Sequence, residues 1–92
     1  MQFYDLHTSR PDFFSIGIES ESGDYYLSIP VSSGPFDYEE YYRISKQLVD
    51  AYPDDIGELR KLANKCRRRE NDENLMIEPG VNRGSSNPIA YP

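Results

Sequence analysis

Phe14, Ile16 and Ile18 alternate with Ser15, Gly17 and Glu19, the period of two that turns one face of a strand toward a core. Tyr25, Leu27, Ile29 and Val31 repeat it. Between these runs Ser20-Glu21-Ser22-Gly23-Asp24 is polar and offers a glycine for a positive φ, which predicts an antiparallel hairpin. Pro30 lacks the N–H of a ladder donor, so the second strand should finish at an edge or a bulge. Phe3 to His7 alternates weakly before Arg10-Pro11 and allows a short additional strand.

After Ser33-Gly34-Pro35 the period changes. Asp37 stands three positions before Glu40, close to a capping box, and a helix is expected from about Tyr38 to Ala51. At 100° per residue Tyr38, Tyr41, Tyr42, Ile44, Leu48, Val49 and Tyr52 fall on one arc. Glu39, Glu40, Arg43, Lys46, Gln47 and Asp50 fall opposite. Pro53 stops this helix, and Asp55-Ile56-Gly57-Glu58 opens a second one through about Arg69, with Ile56, Leu59, Leu62, Ala63 and Cys66 as its apolar stripe. Leu75, Met76 and Ile77 read as a short buried strand. The expected fold is therefore α+β: a small, mainly antiparallel sheet packed on two helices in the order ββααβ. One domain over residues 1–80 and a C-terminal tail over 81–92, rich in Gly, Ser and Pro, complete the reading.

Composition narrows this picture. Leu, Ile, Val and Phe together supply 20 of 92 residues, about 22%, just above the level of roughly 20% below which charged chains stay disordered. Eight tyrosines compensate for that thin core, since a phenol ring carries large apolar area and a hydroxyl that must find a partner or water. No stretch nears the roughly 20 apolar residues that span a bilayer, and Met1 to Arg10 has no basic region followed by an apolar run. No membrane partner and a cytoplasmic location are expected. The lone Cys66 agrees with a reducing compartment, and one Cys with one His7 cannot fill a tetrahedral metal shell. Neither a metal nor another cofactor is expected.

The formal net charge of −6 is unevenly spread. Residues 1–42 hold eight acids and one base, residues 43–69 eight bases and four acids, and residues 70–92 four acids and one base. The basic positions Arg60, Lys61, Lys65, Arg67 and Arg68 could bind phosphates, yet cations at a helix C-terminus also complement its dipole. The overall charge opposes a polyanion, so no direct nucleic-acid partner is expected.

Catalytic patterns are sparse. Asp5 and His7 would share a face of a regular strand, with Ser9 two positions on, the minimum for a base oriented by a carboxylate. The same polar alternation suits a solvated terminus. No G-x-S-x-G, H-E-x-x-H or phosphate-binding glycine loop is present. Glu19, Glu21 and Asp24 crowd the hairpin tip, while Asp37, Glu39 and Glu40 begin the expected helix. Tyr26 alternates away from the apolar side of its strand, and Tyr42 lies at the border of the helix arc, so these two rings are expected to be partly exposed.

Aromatic anchors among carboxylates suit a basic protein, the rings supplying contact area and the charges steering encounter. The expectation is a small acidic, non-enzymatic protein-binding module using Glu19, Glu21, Asp24, Tyr26, Asp37, Glu39, Glu40 and Tyr42. Its most concrete form is an immunity or antitoxin-type inhibitor covering the cationic site of a nuclease-like toxin. The alternatives are an oligomeric structural or regulatory protein, pairing basic helix faces with acidic hairpins in a homo-oligomer, and a small enzyme using His7.

Overall fold

A computed structural model describes residues 1–33, 36–78 and 85–86. The N-terminal half is a meander of four antiparallel strands: β1 (Phe3–Ser9), β2 (Phe14–Glu19), β3 (Tyr25–Ser33) and β4 (Phe36–Ile44), lying side by side in that order. Two helices follow, α1 (Lys46–Asp50) and α2 (Ile56–Arg67). The short β5 (Ser85–Ser86) pairs with β3 at Val31 and Ser32. The rest of the expected 81–92 tail lies outside the described residues.

The β2–β3 hairpin forms as its alternation predicts, with Gly23 at φ 76° in the turn. The β2–β3 ladder ends at Ser15 opposite Ser28, before Pro30, so the missing N–H interrupts no pairing with β2. Phe14, Ile16, Leu27, Ile29, Val31 and Tyr42 form one sheet face, and Val49 of α1 with Leu59, Ala63 and Cys66 of α2 close a core over it. The apolar stripe expected on the second helix is the one used, with Ile56 and Leu62 packed at its margin.

The architecture is α+β, but the order is not ββααβ: four strands precede the helices. The helix expected over Tyr38–Ala51 is a strand up to Ile44 and a short helix after Ser45, whose hydroxyl accepts the Leu48 N–H at 3.4 Å. The segment also alternates with period two, Tyr38, Glu40, Tyr42 and Ile44 against Asp37, Glu39, Tyr41 and Arg43, and each residue from Phe36 to Ile44 stands opposite one of β3. Aromatic residues favour such a pleated surface, and a full ladder to β3 outweighs a helical arc that needed Tyr41 beside Tyr42. Residues 75–77 are not a strand either. Leu75 makes a single bridge to Tyr42 after a short 3₁₀ turn at Asp72–Asn74, and the Met76 N–H donates to the Tyr41 carbonyl at 2.9 Å. No described helix is long and apolar enough to cross a membrane.

Candidate functional site on the open sheet face

Strand alternation directs Phe3, Asp5 and Thr8, Ser15, Gly17 and Glu19, Tyr26, Ser28 and Pro30, and Asp37, Glu39, Tyr41 and Arg43 to the side away from the helices. Two cross-strand rows organise this face. Asp5, Gly17, Tyr26 and Arg43 are aligned in one, Thr8, Ser15, Ser28 and Tyr41 in the other.

In the first row Gly17 makes room for an aromatic ring. A Cβ there would lie 2.6 Å from the Tyr26 hydroxyl and also strike the Tyr4 carbonyl, so only glycine lets Tyr26 lie across β2. The Tyr26 hydroxyl then donates to Asp5 Oδ1 at 2.6 Å. Burial and the Asp5 carboxylate both push the Tyr26 phenol well above its ordinary range, which keeps it a donor. Phe3 stacks on Tyr41 with centroids 3.7 Å apart, and both rings meet Tyr26 edge-on. Burial and the carboxylates of Glu39 and Asp5 raise the Tyr41 phenol as well.

The second row leaves a depression, because Thr8, Ser15 and Ser28 are small. Thr8 and Ser15 hydrogen-bond to each other at 3.0 Å, whereas the Ser28 hydroxyl is fully buried and has no partner. Above it opens a cleft of about 400 Å³. Pro30 and Glu39 stand on one side, Arg10 and Phe13 of the β1–β2 loop on the other. Neither the Arg10 nor the Glu39 side chain has an ion-pair or hydrogen-bond partner among the described residues.

Helix α2 holds that loop in place. The Arg67 guanidinium donates to the carbonyls of Asp12 and Phe13, each at 2.6 Å, and Arg60 binds both carboxylate oxygens of Asp12, at 2.8 and 3.2 Å. Arg60 thereby lowers the Asp12 carboxyl below its usual range. Phe13 is held at φ 54°, a left-handed conformation that costs a non-glycine residue about 1 to 2 kcal/mol, with 38% of its surface exposed at the cleft.

The expected site residues divide between the two faces. Asp37 and Glu39 are exposed on the open face, Asp37 accepting from Ser32 Oγ at 2.9 Å. Asp24 pairs with Arg43 at 3.0 Å, and Glu21 is exposed 3.5 Å from the N-terminal ammonium. Glu19 is buried, with its carboxylate spent on the N–H groups of Glu21, Ser22 and Gln2. Tyr26 and Tyr42, expected to be partly exposed, are both wholly buried. Tyr26 lies under Phe3 and Tyr41, while Tyr42 faces the helices because β4 is a strand, and it donates to the buried Glu40 at 2.8 Å.

The Asp5–His7 pair does not form. A register shift in β1 sets Asp5 opposite Gly17 but His7 opposite Ile16, so the extra residue, Leu6, sends the two side chains to opposite faces. His7 stacks on Tyr52 at 4.4 Å, and Ser9 donates to Asp12 instead. The basic helix positions also separate. Arg60 and Arg67 grip the loop, whereas Lys61, Lys65 and Arg68 remain exposed.

Arg10, Phe13 and Ser28 were not singled out by sequence. Two signals existed: Phe13-Phe14, where alternation can bury only one ring, and a serine inside the otherwise apolar Tyr25–Val31 run. Among the described residues no group of acidic, His and Cys side chains could hold a metal ion. No protein-family model, curated protein or solved structure matches the chain.

Proposed function

We propose that this protein is a non-enzymatic binding module that engages a basic protein through the open face of its sheet, as an immunity or antitoxin-type inhibitor engages a nuclease-like toxin. The observation that carries the reading is the chemistry of that face. Asp5, Asp37 and Glu39 are exposed around the stacked Phe3 and Tyr41 rings. Of the cations on that side, Arg43 is already paired with Asp24 and Arg10 stands at the edge of the cleft, while the exposed Lys61 and Lys65 belong to α2 on the other side of the sheet, with Arg68 just past its end. A cationic site built for phosphates is complemented by such carboxylates, with the aromatic platform supplying desolvated area.

The reading is tested by using the full chain as bait, identifying the retained protein, and measuring its affinity by calorimetry at low and at physiological salt. The expected partner is basic, and Asp5→Asn, Asp37→Asn and Glu39→Gln combined should weaken it by about 100-fold or more. A retained protein without a basic surface, or affinity indifferent to the three substitutions, overturns it.

A further inference from the structure

The cleft beside Phe13 has the shape and chemistry for one side chain of that partner. We infer that it is a guanidinium pocket, receiving an arginine presented by the basic protein; this deepens the proposed function and rests on it.

Three features converge on an arginine. The first is the fully buried, unpartnered Ser28 hydroxyl beneath a cleft of about 400 Å³, a lone buried acceptor able to take an N–H. The second is the exposed Phe13 ring, against whose face a planar guanidinium can stack, while Pro30 offers apolar surface to the methylene stem. The third is the Glu39 carboxylate at the edge, without an ion-pair partner and able to accept two parallel N–H bonds. A lysine ammonium has neither the plane for the ring nor the fork for the carboxylate. The volume lies in the range of pockets that enclose small groups. Arg10 supplies an opposing charge at the loop side. Its field works against the ligand, and this gives the proposal its sharpest control.

The probe is N-acetyl-L-arginine amide, followed by amide chemical shifts of the full chain. N-acetyl-citrulline amide, with the same shape and no charge, N-acetyl-lysine amide and N-acetyl-glutamate amide serve as comparisons. Arginine amide should give saturable shifts at Phe13, Ser15, Ser28 and Glu39 with a Kd in the millimolar range, and citrulline and lysine should bind about fivefold more weakly or worse. Glu39→Gln should weaken arginine about tenfold, whereas Arg10→Ala should strengthen it about threefold. Ser28→Ala should weaken it about fivefold while leaving the melting temperature unchanged or higher, since it removes an unsatisfied buried hydroxyl.

Tighter binding of the glutamate amide, with Arg10→Ala abolishing it, would identify an anion site and overturn the inference. Equal affinity for citrulline amide, no saturable shift at these residues, or a Ser28→Ala variant that melts lower and binds normally would overturn it too. If arginine amide fails while a basic protein is still held through Asp5 and Asp37, only the pocket assignment falls. If arginine amide binds and no basic protein does, the proposed function falls instead.

Discussion

A carboxylate withdrawn from water must be compensated by donors, and Glu19 meets that demand with the backbone. The Glu21 N–H leads, with Ser22 and Gln2, and together they hold the carboxyl from its ordinary 4.5 down to about 2. The residue that looked like a surface charge at the hairpin tip therefore fastens the turn and the chain's start to each other. Because the folded-state pKa is depressed, the unfolded chain binds the proton first as pH falls. The stabilisation is complete above about pH 4.5 and is lost as pH drops toward 2. Glu19→Gln should lower the melting temperature at pH 7, converge with the unmodified protein near pH 2, and reduce proton uptake on unfolding across that window by about one. Melting curves at half-unit pH steps check this. Equal pH slopes for the two proteins would show that the carboxylate is not held by these donors.

At the scale of elements, legibility depended on whether one period ruled a segment. Phe14–Glu19 and Tyr25–Val31 carry an aromatic or aliphatic residue at every second position, and no helical arc competes, so the hairpin could be read directly. Phe36–Ile44 satisfies two periods at once, and the choice is made by nine partners on β3, which are tertiary and invisible in a local window. Reading it as a helix also misplaced Glu40 and Tyr42, because a residue's face follows from its element. Asp37 and Glu39 could be read as charged, but at the start of a helix and not on a sheet face, and the cleft could not be read at all. The cleft depends on a loop whose position is set from a distance of more than fifty residues by Arg67. Charged hydrogen bonds to two carbonyls are worth about 1.5 to 3 kcal/mol each, so Arg67→Ala should destabilise by about 3 kcal/mol, the lower end of their sum. Its signature should be local: faster hydrogen exchange across Arg10–Phe14 exceeding the change in the β2–β3 ladder. Uniform acceleration would mean that Arg67 acts on the whole fold and not on the loop.

Across the whole molecule the layers separate the charge blocks of the sequence only in part. The sheet turns Asp5, Asp37 and Glu39 outward, while on the helix side the exposed Lys61 and Arg68 are paired with Glu58 and Glu70 and Lys65 is exposed beside them. A basic protein of the kind proposed would meet these carboxylates on the sheet side, where Arg43 is paired with Asp24 and Arg10 stands at the edge of the cleft. Steering acts on encounter more than on the docked state, since exposed charges beyond about 10 Å are screened at ordinary salt whereas stacked rings are not. The kinetics should divide along the same line. With the partner immobilised, Asp5→Asn with Asp37→Asn should slow association about tenfold at low salt and change dissociation little, and the difference should shrink toward physiological ionic strength. Phe3→Ala should do the opposite, accelerating dissociation at every salt concentration. Were the carboxylate variants to change dissociation alone, those charges would belong to the closed contact itself, and the division between an acidic surface that steers and an aromatic platform that holds would be wrong.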